Sequence, residues 1–173
     1  MIKPNMLKPG SRIGVVSPSY WFEEQNLIKT VGYFKEKGYS MVMGNSNSLE
    51  WGPFAGQPQE RADDIHRMFS DRDIDAIVCA RGGYGANRVL PLLDYDLIRD
   101  NPKIFMGFSD ITGYLTSITQ KTGLVTFHSP MLVSYKKRFV NYNFRTMEQV
   151  LNGKPDLKIE YPKSLSPKIL KPG

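Results

Sequence analysis

Cysteine and histidine are scarce in this 173-residue sequence, which contains one cysteine (Cys79) and two histidines (His66 and His128). A single cysteine excludes an internal disulfide framework and is typical of proteins from a reducing compartment. No cluster of histidine, cysteine, aspartate and glutamate has the spacing of a metal site. The sequence therefore predicts no structural disulfide, no metal and no cofactor.

Long apolar runs are also missing. No uninterrupted apolar stretch approaches the roughly 18 residues that a membrane-spanning helix needs, and residues 1–11 lack the apolar core of a signal peptide. We therefore expect a cytoplasmic protein without a membrane partner. Apolar residues make up 40% of the chain and charged residues 23%, which is typical of a globular protein with one sizeable core.

Positive charge exceeds negative charge, with a formal net charge of +6. Such a balance is compatible with nucleic acid, an anionic surface or an acidic small substrate as partner. The basic residues are concentrated at residues 136–138 and in the C-terminal tail, without the interleaved aromatics of single-strand binders. We interpret them as a solvated surface and predict no nucleic-acid partner.

Short apolar runs alternate with amphipathic helical segments along the chain. The runs that read as buried strands are residues 12–17, 39–44, 75–80, 104–108 and 124–128. The helical segments are residues 26–37, a helix opened by Pro58, and residues 86–93, 110–122 and 144–151. This alternation predicts a three-layer α/β fold, Rossmann-like or flavodoxin-like, with helices on both faces of a mostly parallel sheet.

The texture changes at Pro155, after which prolines recur at five-residue intervals among lysines and only residues 157–161 look strand-like. We predict an α/β domain over residues 1–154. Residues 155–173 are interpreted as a linker that leaves this domain.

Small or polar residues follow four of the five predicted strands. They are Ser17-Pro18-Ser19, Arg81-Gly82-Gly83, Ser109-Asp110 and His128-Ser129. Because the carboxyl ends of parallel strands share one edge of the sheet, and ligands of such folds bind there, this edge is the predicted functional site.

The double-glycine motif RGGYG (81–85) follows a predicted strand and precedes a helix, so its backbone N–H groups could bind an anion. It has neither the spacing of a dinucleotide fingerprint nor the Lys-Ser/Thr ending of a P-loop. An oxyanion or carboxylate therefore fits better than a triphosphate. The alternative is a plain turn that requires positive φ.

The motif GFSDI (107–111) has the strand–turn–helix context of a nucleophile elbow, although Ile111 stands where GxSxG has its second glycine. Alternatively, Ser109 is a helix N-cap and Asp110 complements the helix dipole. This motif by itself leaves both interpretations open.

A serine nucleophile needs a base, usually a histidine. His128 ends a predicted strand at the site edge and is the candidate from the residues alone, which would make the chain a self-contained hydrolase; a histidine simply packed at a strand end is the alternative. His66 lies within a helix and is interpreted as a surface or boundary residue. Cys79 lies in an apolar run and is interpreted as buried and inert.

Four segments, taken together, resemble the N-terminal domain of the LD-carboxypeptidase family. They are VVSPS (15–19), ARGGYGANRVLPLLDYDLI (80–98), KIFMGFSDITGYL (103–115) and TGLVTFHSPM (122–131). This serine peptidase family includes murein tetrapeptide carboxypeptidases and microcin C self-immunity proteins. The resemblance covers nearly the whole chain, and ARGGYG and GFSDIT in this order are far more specific together than alone.

The resemblance implies that Ser109 is the nucleophile and that the backbone amides of Gly83 and Asp110 form the oxyanion hole. The residues expected around the substrate are Arg81, Gly82, Ser17 and His128. The implied reaction is hydrolysis of the bond to a terminal D-amino acid in cell-wall peptides during peptidoglycan recycling. Alternatives are cleavage of a peptide-nucleotide amide, or binding of an anion or peptide without catalysis.

Two features depart from the family pattern. The resemblance implies that the family's catalytic glutamate and histidine lie in a C-terminal domain, which we expect to be missing from this chain; neither is assigned here, and the chain alone is expected to be nearly inactive. His128 then becomes a strand-end residue near the site. Ser129 stands where relatives commonly have glycine.

A domain without its partner should expose apolar surface, which makes a homodimer possible.

Overall fold

The computed structural model describes residues 1–23, 25–134 and 140–154. The basic cluster at residues 136–138, the interpreted linker at 155–173 and its strand-like stretch at 157–161 lie outside the described residues.

A five-stranded sheet with the strand order β2-β1-β3-β4-β5 forms the centre of the molecule. Its strands are β1 (Arg12–Val16), β2 (Ser40–Met43), β3 (Ala76–Cys79), β4 (Ile104–Gly107) and β5 (Phe127–His128). All neighbouring strands pair in parallel. The α/β prediction is confirmed, and the strand order is that of the flavodoxin-like folds, whose switch point lies between β1 and β3.

Six α-helices accompany the sheet in the described part of the chain. They are α1 (Gln25–Glu36), α2 (Pro58–Ser70), α3 (Ala86–Val89), α4 (Tyr95–Asp100), α5 (Thr112–Thr122) and α6 (Val140–Leu151). The start of α2 follows from local sequence, because Pro58 occupies the first turn and Gln57 and Glu60 form a capping box.

Each face of the sheet has its own apolar core. Ile77 and Cys79 of β3 belong to the core that contains residues of α2, α3 and α5, whereas Ala76 and Val78 belong to the core that contains residues of α1 and α6. Because successive side chains point to opposite faces, a strand covered on both faces has a continuous apolar sequence. The buried interpretation of Cys79 is confirmed, and burial raises the pKa of its thiol.

Four predicted boundaries were wrong by more than one residue, and one of them is the start of α6, at Val140 instead of residue 144. β5 has two residues instead of five, because Leu124 and Val125 are drawn into backbone contacts with Ile2 at the N-terminal segment. The helix predicted at 86–93 is α3 followed by a 3₁₀ turn at Leu90–Leu92. The helix predicted at 110–122 begins with a 3₁₀ turn at Ser109–Ile111.

One short helix was not predicted. α4 has six residues, too few for a helical apolar period, and its start is marked only by the Asp94 carboxylate, which accepts a hydrogen bond from the Leu97 amide. No helix within the described residues is both long and apolar enough to cross a membrane.

Candidate active site

The loops that follow β1, β3 and β4 lie side by side because these three strands are neighbours in the sheet. The Tyr20 amide donates to the Gly82 carbonyl oxygen (3.3 Å), which joins the loop after β1 to the double-glycine loop after β3. A Cβ placed on Gly82 would lie 3.4 Å from the Ser109 Cβ, so the double-glycine loop also touches the turn after β4. The fold therefore brings the RGGYG and GFSDI motifs together.

Ser109 has a φ of +62°, and it is the one non-glycine residue with positive φ in the described parts of the chain. Its side chain is exposed, and its hydroxyl makes no hydrogen bond to any described residue. The turn is tight, since a Cβ on Gly107 would lie 2.7 Å from the Ile111 Cγ2. A strained serine held open to solvent between a strand and a helix is the geometry of a nucleophile elbow.

The helix-cap interpretation of Ser109 was wrong. The 3₁₀ turn that contains Ser109 begins after Phe108, and α5 begins after Ile111; neither start has a side-chain cap. A serine N-cap adopts extended backbone angles and bonds the amides of the next turn, and Ser109 does neither.

We expect Ser109→Gly to be about 0.5–1 kcal/mol more stable than Ser109→Ala, because both remove the hydroxyl but only glycine adopts φ +62° without strain. Urea unfolding measures the difference. The same pair of substitutions at Ser117, inside α5, is the control: there glycine should be the less stable by a similar amount. Equal stabilities at position 109 would mean that the turn holds no strain.

The double-glycine loop requires glycine for two reasons. Gly83 and Gly85 have φ values of +129° and +120°, which side chains rarely adopt. A Cβ on Gly83 would lie 2.4 Å from the ring of Tyr20, and a Cβ on Gly85 would lie 2.9 Å from the ring of Phe54. The two rings pack edge to face, with centroids 5.8 Å apart. Two aromatic residues from other loops therefore shape this loop.

The backbone N–H of Gly83 donates to no acceptor within the described residues, and Gly83 is exposed. An unused amide next to an exposed serine is what an oxyanion hole needs.

The carboxylate of Asp110 contacts the two neighbouring loops. Its Oδ2 accepts hydrogen bonds from the Ser19 hydroxyl (2.6 Å) and from the Ala86 backbone amide (3.1 Å). The sequence motif predicts a role for Asp110 only through its amide or the helix dipole, so this bridge by its carboxylate was not predicted.

Arg61 also supports the site, and no sequence motif predicts its role. Its side chain is fully buried, and its Nη1 donates to the Pro18 carbonyl oxygen (2.8 Å), which also accepts from the Tyr114 hydroxyl (2.8 Å). Its guanidinium lies over the Phe54 ring (5.1 Å). Burial lowers the pKa of Arg61. Arg61 thus supports the loop after β1 through the carbonyl oxygen of Pro18.

Ser17 supports the same loop. It is fully buried, its hydroxyl donates to Asn47 Oδ1 (2.7 Å) and its amide donates to Ser46 Oγ (2.9 Å). These bonds occupy the side chain that was expected to meet the substrate, and we assign Ser17 a supporting position instead.

Arg81, His66 and His128 do not line the cavity beside Ser109. Arg81 donates to the Trp21 carbonyl oxygen (2.7 Å), and its guanidinium lies 5.7 Å from the Tyr20 ring centroid. His128 is exposed at the end of β5 and lines cavities separate from the one beside Ser109. His66 is half-buried and accepts a hydrogen bond from the Asp94 amide, which confirms its boundary position.

An open groove of about 400 Å³ begins at Ser109 and runs between α3 and α5. It is lined by Tyr84, Ala86, Asn87, Leu90, Ser109, Asp110 and Gly113. It contains no histidine and no basic side chain. No group of histidine, cysteine and acidic side chains among the described residues could hold a metal ion. The chemistry available at this groove is that of a hydroxyl nucleophile beside backbone N–H donors.

Comparison with known proteins agrees with this geometry. The LD-carboxypeptidase N-terminal domain family matches residues 13–129. The "Probable murein peptide carboxypeptidase" of Bacillus subtilis (strain 168) is 38% identical over 162 residues, which are 86% of this chain and 51% of that protein. The Escherichia coli microcin C7 self-immunity protein MccF is 35% identical over 130 residues, 73% of this chain and 38% of that protein.

The chain thus spans about half the length, or less, of these curated relatives. The structure of MccF in complex with glutamyl sulfamoyl guanosine aligns with a TM-score of 0.85 and 29% identity over 98% of this chain and 55% of that one. Because the family match covers more than half of the sequence, this chain belongs to the LD-carboxypeptidase family of serine peptidases, whose N-terminal domain it contains.

Proposed function

We propose that this chain is the nucleophile-bearing part of a serine-type LD-carboxypeptidase that hydrolyses the bond to a terminal D-amino acid in cell-wall peptides. The observation that carries the proposal is Ser109, strained at φ +62° and exposed at the end of β4, beside the glycine loop. Membership in a family of carboxypeptidases supports the reaction class.

In the proposed reaction, Ser109 Oγ attacks the carbonyl carbon of the scissile peptide bond while a base takes its proton. The backbone N–H groups of Gly83 and Asp110 stabilise the negative charge that develops on the carbonyl oxygen, and each such donor is worth roughly 10²–10³ in rate. The amine of the D-amino acid leaves with a proton from the base. Water then hydrolyses the acyl-enzyme and frees Ser109.

The base and its acidic partner are proposed to come from a C-terminal domain beyond residue 154. The groove at Ser109 offers no histidine, and the relatives are about twice as long as this chain. Residues 155–173 are proposed as the linker to that domain. Without a base, roughly 10³–10⁴ of acceleration over water remains from the oxyanion hole and binding. This chain alone should therefore be a very slow enzyme.

We further propose that the substrates are muropeptides met in the cytoplasm during peptidoglycan recycling. The described groove is lined by apolar and neutral side chains together with Asp110, which suits the end of a peptide better than a polyanion. A homodimer is a further possibility for the apolar surface that a C-terminal domain would otherwise cover.

The test is covalent labelling of the chain by a fluorophosphonate, followed by peptide mass spectrometry. We expect slow labelling at Ser109 that disappears in Ser109→Ala and persists in the control variant Ser134→Ala. Labelling at another serine, or undiminished labelling in Ser109→Ala, would contradict the assignment. Release of D-alanine from a murein tetrapeptide, measured against the diastereomer that ends in L-alanine, then tests the substrate class.

A peptide-nucleotide amide is the alternative substrate. The likeness to MccF, crystallised with glutamyl sulfamoyl guanosine, favours it. Faster hydrolysis of an aminoacyl sulfamoyl nucleoside than of the tetrapeptide would select this alternative. A third possibility, binding of an anion or peptide without catalysis, would leave affinity unchanged in Ser109→Ala and yield no product with either substrate.

A further inference from the structure

The carboxylate of Asp110 lies where three strand-end loops meet. We propose that this side chain is a positioning residue that holds the double-glycine loop against the Ser109 turn, so that the two oxyanion-hole amides keep a fixed separation. The inference rests on the proposed function for its catalytic consequence. It adds a role for the side chain to the one already assigned to the Asp110 amide.

The contacts of the carboxylate are specific. One oxygen, Oδ2, accepts both from the Ser19 hydroxyl at 2.6 Å and from the Ala86 amide at 3.1 Å. Ser19 belongs to the loop after β1 and is fully buried, while Ala86 directly follows the RGGYG motif. Hydrogen bonds to an ionised acceptor are the short and strong kind. A single oxygen atom therefore joins the loops after β1 and β3 to the turn after β4.

The double-glycine loop needs such an anchor. Its two glycines at positive φ are the residues that lose most conformational freedom on ordering. On one side Gly82 is tied to Tyr20 through its carbonyl oxygen. On the other side, the Ala86 amide has Asp110 as its acceptor. Without the bond from Ala86 to Asp110, the loop segment that carries the Gly83 N–H is fixed only through the bond between Gly82 and Tyr20.

A buried positive charge lies near this carboxylate. The fully buried guanidinium of Arg61 lies close enough to interact electrostatically with Asp110. Burial is the largest influence and lowers the pKa of Arg61; Tyr114 and Arg88 follow, and the charge of Asp110 is a smaller influence that raises it. The carboxylate between the loops thus accepts from two donors and interacts electrostatically with a buried cation.

Three substitutions separate the position of the acceptor from its charge. Asp110→Asn keeps an oxygen that can accept from both Ser19 and Ala86, whereas Asp110→Ala removes the acceptor. Ser19→Ala removes one of the two donors and leaves the bond to Ala86. A positioning role predicts that asparagine substitutes well, that alanine does not, and that Ser19→Ala is intermediate.

The first measurement is amide hydrogen exchange by NMR on this chain. We expect the Ala86 amide to exchange at least about tenfold faster in Asp110→Ala, within about threefold of wild type in Asp110→Asn, and the Val78 amide in β3 to stay unchanged. An unchanged Ala86 rate would overturn the proposal. Equal acceleration at Ala86 and Val78 would also overturn it, because the effect would then be one of global stability.

The second measurement is the rate of fluorophosphonate labelling of Ser109 in the same variants. We expect a loss of at least about tenfold in Asp110→Ala and a rate within about threefold of wild type in Asp110→Asn. Faster exchange with unchanged labelling would reject the positioning role. If wild type is not labelled at all, the proposed function fails, and the exchange measurement still decides whether Asp110 holds the loop.

Discussion

Replacing Gly83 by alanine is expected to lower the free energy of unfolding by about 3 kcal/mol or more. Two costs combine at this position. The φ of +129° is one that alanine rarely adopts, and a Cβ would lie 2.4 Å from the Tyr20 ring, closer than real Cβ contacts come. The Cβ of Tyr20 would itself lie 2.8 Å from the added Cβ, and the Tyr20 amide is bonded to Gly82, so rotation of the ring does not relieve the clash.

Gly10→Ala is the matched control for this prediction. Gly10 has a φ of +87°, but no atom lies within 4 Å of its Cβ position, so alanine there meets strain without a clash. We expect a cost of about 1–2 kcal/mol at Gly10. Urea unfolding of both variants, of Tyr20→Gly, and of Gly83→Ala combined with Tyr20→Gly separates the two costs; glycine is needed at position 20 because the Tyr20 Cβ itself would lie 2.8 Å from the added Cβ. Equal losses at Gly10 and Gly83 would mean that the Tyr20 ring does not shape the loop.

The second large effect is expected for Asp64→Ala, at about 3 kcal/mol. Asp64 is 2% exposed, and its carboxylate accepts from the Asn45 and Ser46 amides at 3.0 and 2.6 Å and from Arg67 Nη2 at 2.8 Å. Alanine would leave the two amides without this acceptor. Ser46 is buried, and a buried unpaired donor costs about 1–3 kcal/mol, whereas Asn45 is exposed; the lost pair with Arg67 adds to the cost.

Asp63→Ala is the control for this substitution. Asp63 is the exposed neighbour on the same helix, and its carboxylate accepts from the side-chain amide of Gln59. Its replacement should cost less than about 0.5 kcal/mol of unfolding free energy. The loss of unfolding free energy in Asp64→Asn should lie between those of Asp63→Ala and Asp64→Ala, because the asparagine NH₂ group would meet a backbone N–H donor. A loss at Asp64 no larger than that at Asp63 would contradict the prediction. The Ser46 link also predicts faster exchange of the Ser17 amide in Asp64→Ala.

Much of the fold could be predicted because local signals agree with the tertiary structure. The apolar run 75–80 forms β3, buried on both faces, and Pro58 opens a helix at the predicted residue. Where prediction failed, a distant segment was responsible. β5 is short because Ile2, far away in the sequence, pairs with Leu124.

The candidate site was likewise predicted where local signals suffice and not where distant segments determine it. Parallel strands share a carboxyl edge, and this was enough to bring Arg81-Gly82-Gly83 and Ser109 together in the prediction. The φ of Ser109 and the contact between Tyr20 and Gly83 depend on packing among separate loops, which no local pattern encodes.

The amino-acid sequence by itself determined the layered α/β fold, the edge that holds the candidate site and the family, because apolar periodicity and the two glycine- and serine-containing motifs are local. Only the tertiary structure decided how the site is held. Ser19 and Asp110 are 91 residues apart, and Arg61 reaches Pro18 across 43 residues, yet both contacts support the loops around Ser109. Such contacts exist only after the sheet has aligned the ends of its strands.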